Sequence, residues 1–330
     1  MKLHLIYSAV IVAVAVASVI YGIAVVRYRL FPYPIFKSVF SYIKEKKNGD
    51  MLHGPWSIGI YEGSSPFDLR PAAGVRNPVL SAKDVTDMQA RFVADPFLAK
   101  DDGRYFMFFE VLERTNQRGA IAYAESPDGR HWTYRKVILE EEFHLSYPYV
   151  FEWDGDRYLI PESFEDLSVR LYKATTFPDQ WQPVGTLLSG YRFVDPSIFR
   201  FRDHWWLLVS TIDNDVLNLY HSDNLTGEWK AHPMNPVVRL DKHVARPAGR
   251  ILNLEDRLYR FAQDCEPEYG KQVFAFEIVE LTTTTYREKA VSDRPLLTGT
   301  GAGWNAAGMH QIDLLETGDG WLAAVDGRDR

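Results

Sequence analysis

From residue 90 onward one unit recurs about every 50 residues, and this limits the fold more than any other feature of the chain. Each unit opens with a short apolar strand that carries a polar residue near its start. The openings are Val93-Ala94-Asp95-Pro96-Phe97, Ser146-Tyr147-Pro148-Tyr149-Val150, Val194-Asp195-Pro196-Ser197-Ile198, Ala245-Arg246-Pro247-Ala248-Gly249 and Met309-His310-Gln311-Ile312-Asp313. From Asp95 through Tyr147, Asp195 and Arg246 to His310 the spacings are 52, 48, 51 and 64 residues. The last is stretched by a glycine-rich insertion around Gly299 to Gly303. Such self-similarity marks propellers and solenoids, whose units bury their apolar faces only against their neighbours.

A tight polar turn follows each opening strand, as in Asp101-Asp102-Gly103, Asp154-Gly155-Asp156 and Gly318-Asp319-Gly320. Turns of this kind join antiparallel strands. A second strand rich in aromatic or aliphatic residues comes next, such as Tyr105 to Phe109 or Trp205 to Val209. A third strand, a turn such as Ser126-Pro127-Asp128-Gly129 and an aromatic-led fourth strand complete the unit. Four strands per unit and five units predict an all-β, five-bladed β-propeller over residues 54–330. A pair of β-sandwiches would not explain five similarly spaced openings. The fifth unit stops after two strands, and the alternating segment Trp56 to Tyr61 is expected to supply a closing strand.

The other organising feature lies upstream. Leu5 to Val26 is a run of 22 uncharged, mostly aliphatic residues, enough to span a bilayer as one transmembrane helix. A cleaved signal peptide is the competing reading, with Ala15-Val16-Ala17 as the cleavage site. The run continues nine residues beyond it, which favours an anchor over residues 1–29. Lys2 flanks it on one side; Arg27, Arg29, Lys37, Lys44, Lys46 and Lys47 flank it on the other. Positive flanks stay in the cytoplasm, so a single-pass membrane protein with its large domain cytoplasmic is expected. Residues 30–53 mix Phe31, Tyr33, Phe36 and Phe40 with lysines and read as a juxtamembrane linker.

Several function classes are excluded at this level. With 37 basic and 44 acidic residues the chain has no overall footprint for nucleic acid. Its one cysteine, Cys265, rules out an intramolecular disulfide framework and a cysteine-rich zinc site. No phosphate-binding loop, dinucleotide fingerprint or nucleophile elbow is present. No metal ligand set is read, because His310 has no second histidine at ligand spacing, and no cofactor is identified. The segment Gly299 to Gly303 reads as a flexible loop, with a lid over the cavity as its second reading.

Repetition places the candidate chemistry. The first strand of each blade lines a propeller's central channel, so Asp95, Tyr147, Asp195, Arg246 and His310 should form a ring. Glu110, Glu162, Ser210, Asp264 and Asp326 form a second set near the ends of the second strands. Charge is expensive to bury without partners, which points to a solvated, ligand-sized cavity rather than a dry core. Two carboxylates flanking a sugar bond are the usual minimum for glycoside chemistry. Asp95, Glu162 and Asp195 are therefore the candidate catalytic residues. Tyr147, Arg246, His310 and Glu110 are the candidate substrate-binding residues. The alternative is a satisfied salt network around Arg246. Tyr149 and Tyr191 could stack on a sugar or belong to the core.

Asp95-Pro96-Phe97 and Ser126-Pro127-Asp128-Gly129 resemble motifs of the five-bladed arabinanase, levansucrase and invertase superfamily. A closer resemblance is to the N-terminal domain of glucosamine inositolphosphorylceramide transferase and its bacterial relatives. It is carried by Trp56-Ser57-Ile58-Gly59-Ile60-Tyr61, Ala94-Asp95-Pro96-Phe97, Ile160-Pro161-Glu162-Ser163, Val194-Asp195-Pro196 and Gly308-Met309-His310. The superfamily resemblance implies that Asp95 is the first-blade base or nucleophile. Its second-blade aspartate is here Tyr147, which speaks against simple hydrolase activity. In the plant transferase the recognised glycosyltransferase domain is a separate C-terminal unit, so the resemblance alone does not assign transfer to the propeller.

Three functions follow as expectations. The first is a membrane-anchored protein of glycosyl transfer, with a sugar or glycolipid as substrate. The second is a glycoside hydrolase of the exported face. The third is a non-catalytic glycan-binding propeller.

Overall fold

The computed structural model describes residues 55–330 and, before them, Ser18 and Tyr21, both helical. The transmembrane helix expected over 1–29 and the linker expected over 30–53 otherwise lie outside the described residues. Among the described residues no helix is long and apolar enough to cross a membrane. Gly54–Arg330 forms one compact unit.

That unit is all-β and consists of five antiparallel sheets. The first blade runs from the channel outward through Ala90–Asp101, Arg104–Glu113, Gly119–Ser126 and Thr133–Leu139. The second follows with Ser146–Trp153, Asp156–Glu162, Ser168–Thr176 and Gln180–Ser189. The third has Phe193–Phe201, His204–Thr211 and Val216–Ser222, with its outer edge split into Lys230–Ala231 and Val238–Arg239. The fourth opens with the short pieces Arg246–Pro247 and Leu252–Leu254, then Arg257–Asp264, Gln272–Leu281 and Tyr286–Ala290, with Leu297–Thr298 added.

The fifth blade joins the two ends of the described chain. Ile312–Thr317 and Gly320–Arg328 are its inner strands, and Trp56–Ser65 and Asp68–Pro71 its outer two. The seam runs from Trp56 opposite Arg328 to Gly63 opposite Trp321. The sequence led to one borrowed strand; the molecule borrows two.

Blades adhere through interdigitated apolar side chains. Ile58, Val93, Met107, Phe109 and Leu322 fill the seam between fifth and first blades. Phe261, Val273, Ile312 and Val325 join fourth to fifth, and Trp206, Leu208, Ile251 and Ile278 join third to fourth. One cluster continues through the first three blades, with Phe97, Phe108, Leu159, Leu171, Ile198 and Leu207. Burying each such side chain contributes about 1.5–3 kcal/mol, and inner strands buried on both faces explain why Val93 to Leu98 is mostly apolar.

Candidate functional site

Three inner strands break their ladders at the same place. In the first blade Ala94 pairs with Glu110 and Phe97 with Phe108, which leaves one extra residue at Asp95-Pro96. The second blade repeats this at Tyr147-Pro148, between Ser146 opposite Glu162 and Tyr149 opposite Ile160. The third repeats it at Asp195-Pro196. Each is a β-bulge, a device that bends a strand and re-aims a side chain. The bulge also tolerates proline, which has no N–H for the ladder. Asp95, Tyr147 and Asp195 take φ of 54°, 47° and 49° there. This left-handed conformation costs a non-glycine residue roughly 1–2 kcal/mol.

Hydrogen bonds that pass from blade to blade offset that cost. Asp326 Oδ2 accepts the main-chain N–H of Asp95 at 3.0 Å. Asp95 Oδ2 in turn accepts the N–H of Tyr147 at 3.2 Å, and Glu162 Oε2 accepts that of Asp195 at 3.0 Å. Each bulge amide is thus held by a carboxylate from the blade before it.

Arg246 closes the network from the fourth blade. Its guanidinium grips Asp195 through Nε at 2.5 Å and Nη2 at 3.0 Å, reaches Glu162 Oε2 at 3.3 Å and donates to Asn214 at 2.9 Å. Gln263 Nε2 adds a further bond to Asp195 Oδ2 at 2.9 Å. From the fifth blade, His310 Nδ1 lies 2.7 Å from Asp326 Oδ1, and its Nε2 lies 3.8 Å from Asp95 Oδ1. Glu110 Oε1 is 3.4 Å from His144 Nε2.

Five carboxyl groups therefore share one buried region with a single guanidinium and His310. Burial pushes the Asp95 carboxyl up to about 7; His310 opposes the shift and Asp195 and Asp326 reinforce it. Burial also raises Glu162 well above the carboxylate range, with Asp195 adding to the rise and Arg246 opposing it. Glu110 is raised by burial and by Asp95, Glu162, Asp195 and Asp326 together. Burial alone would lower His310, but Asp326 and Asp95 outweigh it and hold the imidazole above its ordinary value. Functional sites gather strongly shifted groups of this kind, and structural ion-pair networks shift them too.

The model of the family described as glucosamine inositolphosphorylceramide transferase 1, N-terminal, matches residues 47–328. The chain belongs to this family. It is 36% identical over 299 residues to glucosamine inositolphosphorylceramide transferase 1 of Oryza sativa subsp. japonica, covering 83% of this chain and 40% of that protein. Against the Arabidopsis thaliana protein of the same name it is 33% identical over 298 residues, covering 83% and 39%. The chain thus spans about 40% of the length of these curated relatives. Among solved structures it resembles a glycosyl hydrolase from Bacteroides ovatus, with a TM-score of 0.58 and 11% identity over 81% of this chain and 93% of that one. It also resembles the catalytic domain of a family 62 α-L-arabinofuranosidase from Coprinopsis cinerea, with a TM-score of 0.56 and 14% identity over 84% and 98%. At such identity these two likenesses establish the fold alone.

In this member of the transferase N-terminal family, two site residues lie outside the repeat and were not found from sequence. Trp56, the first residue of the closing strand, stacks on His310 at 3.9 Å and 11°. Tyr269, in the connection 265–271, packs edge-on against both rings and lies 5.0 Å from the Arg246 guanidinium. Gly270, at φ 68°, presses so closely that a Cβ would lie 2.8 Å from Trp56 and 3.0 Å from His310. Tyr269 and Gly270 therefore pack on the Trp56, His310 and Arg246 side chains of the cluster, in which Asp95, Glu162 and Asp195 are only 8%, 3% and 1% exposed. The signal for Trp56 was its place at the seam; nothing in the repeat marks Tyr269.

Tyr147 shares the bulge position but not the surroundings of the aspartates. It is fully buried, and its hydroxyl lies 2.8 Å from Ser197 Oγ and accepts the N–H of Gly249 at 2.7 Å. It ties the second blade to the third and fourth, close enough to Asp195 for that carboxylate to add to the upward shift that burial gives the hydroxyl. Tyr149 is buried with its ring 5.0 Å from the Arg250 guanidinium, whereas Tyr191 is 51% exposed beside Phe193. Trp304, just after the glycine-rich segment, packs so tightly on Gly59 and Gly327 that a Cβ on either would clash with it.

Asp95, His310 and Asp326 bring one potential metal-ligand atom each within 4.8 Å of one another. Asp326 Oδ1 already accepts the N–H groups of His310 and Gln311 and lies against His310 Nδ1, which commits that oxygen to hydrogen bonds.

Proposed function

We propose that the buried carboxylate cluster binds a sugar and carries out glycosyl transfer onto a lipid-linked or cell-envelope acceptor. The observation that carries this reading is Asp95. Its proton affinity is raised to about 7 by burial, which suits a general base working near neutral pH. Asp95 would take the proton of the acceptor hydroxyl as that oxygen bonds to the anomeric carbon. Glu162, held above the carboxylate range, would give a proton to the departing oxygen. Arg246 would hold Asp195 and Glu162 in register, with its remaining donor capacity and His310 facing substrate oxygens. Membership of a family named for glycolipid synthesis supports the substrate class.

The uncharged run from Leu5 to Val26 fits the same reading as a tether that keeps the propeller beside a lipid substrate, on the cytoplasmic side. A topology reporter fused after Arg330 tests that side.

A second reading, a glycan-binding propeller without catalysis, is favoured by the use of Asp95, Glu162 and Asp326 as acceptors for bulge amides. The deciding experiment supplies labelled activated sugars to membranes holding the full chain or its Asp95→Asn variant. Transfer into the lipid extract that Asp95→Asn abolishes supports catalysis. Free sugar released without any activated donor identifies a hydrolase instead. Sugar binding without turnover selects the binding reading.

A further inference from the structure

The path of the chain decides which connections share a face with the carboxylate cluster. In each blade the first and second strands meet in a hairpin turn, such as Asp101 to Arg104, at the end away from the bulges. The connection from second to third strand, and the one from each blade to the next, therefore lie on the face of the cluster. The chain also enters the propeller on this face, because Trp56 stacks on His310. The uncharged run from Leu5 to Val26 lies upstream of that entry point.

Two of these connections hold a leucine in an unfavourable setting. Leu167, between the second and third strands of the second blade, takes φ of 56° and is 47% exposed. Leu240, between the third blade and the fourth, takes φ of 54° and is 46% exposed. Glycine or asparagine is favoured in this conformation, and a bulky residue is an outlier. Among the described residues every other exposed non-glycine residue at positive φ is polar. Neither leucine joins an apolar cluster of the propeller. Each therefore combines a strained backbone with apolar surface in water and gives nothing back to the core.

Neighbouring residues extend the two points into a rim. Leu167 accepts the N–H of Gly190 at 2.8 Å, which sets it near the exposed Tyr191, and Arg192 lies over the Phe164 ring at 5.0 Å. Beside Leu240, the N–H of Asp241 donates to the carbonyl of Asp215, next to the Asn214 that Arg246 holds. Charge on the rim is mixed, with Arg192 and Lys242 against Glu165 and Asp241. That is no site for a polyanion. Aliphatic tips, a tyrosine and mixed charge suit the boundary between lipid head groups and acyl chains.

We propose that the propeller docks on a lipid bilayer through this rim, with Leu167 and Leu240 as the inserted tips. The proposal rests on the tether reading above. A few side chains bind a bilayer only weakly, but a chain already held there meets it at high effective concentration. Weak contacts then suffice to orient the propeller. Docking sets the carboxylate cluster at the level of the head groups, so its acceptor is the head of a membrane lipid.

The test places a bimane label in the full-length chain in phosphatidylcholine vesicles, with or without brominated acyl chains. Cys265 is buried, so introduced cysteines take the label. Labels at Arg192→Cys and Lys242→Cys should lose emission to the brominated lipid. A label at Asp203→Cys, in an exposed turn of the opposite face, should not. Leu167→Gly with Leu240→Gly removes both tips, and glycine takes the positive φ without strain. This double variant should abolish the quenching, keep the thermal midpoint of the propeller at or above that of the parent, and still float with the vesicles. Unquenched labels on a chain that floats overturn docking and leave the tether reading standing. Quenching that survives the double variant, or that is equal at Asp203→Cys, overturns it too. A clear fall in the midpoint shows that the leucines serve the fold and overturns it as well. A chain that does not float removes the tether and the docking that depends on it.

Discussion

Asp326 Oδ2 accepts the main-chain N–H of Asp95 across 231 residues of sequence. The last strand of the propeller thereby fixes the first candidate catalytic carboxylate. The same side chain holds His310 and Gln311 through Oδ1. Ring closure and site geometry are therefore one structural event, because the strand that carries Asp326 is also the one that Trp56–Ser65 zips against.

Replacing Asp326 separates these roles. Asp326→Ala leaves several buried N–H groups without an acceptor and should cost on the order of 4 kcal/mol. Asp326→Asn keeps one oxygen for the cluster of donors at Oδ1 but turns an N–H₂ toward the Asp95 amide. It should cost about 1–3 kcal/mol and reduce activity more than stability. Urea denaturation of both variants measures the difference. Equal losses for Asn and Ala would sink the division of labour between the two oxygens.

Stability should fall as pH rises through neutrality. A carboxyl whose folded pKa is raised binds its proton more tightly in the native state, so the stability it contributes is lost between its unfolded and folded values. For Asp95 that window runs from 3.8 to about 7, on the order of 4 kcal/mol before coupling to neighbours is discounted. His310, also raised, contributes stability that is present below its ordinary value and lost as pH climbs through its folded one. Both slopes have the same sign. Asp166 and Glu288 are lowered by their arginine partners and act oppositely, losing stability only in more acidic solution. Asp95→Asn should flatten the decline between pH 4 and 7 in thermal unfolding; an unchanged slope would show that Asp95 does not carry it.

The repeat made the propeller and much of its site legible, and the physical reason is the proline-marked bulge. Asp95 and Asp195 could be paired across blades because each precedes a proline that its strand tolerates only where the ladder breaks. Tyr147 followed the same rule, but periodicity says nothing about a side chain long enough to reach Gly249 from another blade. Arg246 and His310 lie in blades without a positive-φ bulge at that position, and they reach the site by side-chain length and by Asp326. Trp56 and Tyr269 were illegible as site residues because one enters from the closing strand and the other from a connection unique to the fourth blade.

Arg246 holds the negative cluster together. Removing it by Arg246→Met leaves Asp195 and Glu162 buried without their cation and should cost on the order of 3–5 kcal/mol. Arg246→Lys restores charge without the two-pronged grip on Asp195 and should recover only part of that loss. The check is chemical denaturation at pH 7 and again at pH 5. The deficit should shrink at pH 5, where more of the raised carboxyls are protonated. A deficit independent of pH would mean that Arg246 acts by packing alone.

The segment 265–271 should open more readily than the blades beside it. Glu268 accepts a hydrogen bond from Arg328 Nη2 at 3.1 Å, with the glutamate side chain 64% exposed. An exposed pair of this kind is worth about 0.2–1 kcal/mol. Glu268→Ala should therefore speed amide exchange in 266–271 by no more than about fivefold and leave global stability unchanged. Tyr269→Ala removes the ring that rests on Arg246, Trp56 and His310. It should speed exchange there well beyond the Glu268 variant and expose Asp95 to carbodiimide labelling. Hydrogen exchange with mass spectrometry reads both effects. If Tyr269→Ala left exchange and Asp95 labelling as they are in the parent protein, the segment would be a fixed part of the site rather than its cover, and substrate would have to enter by another path.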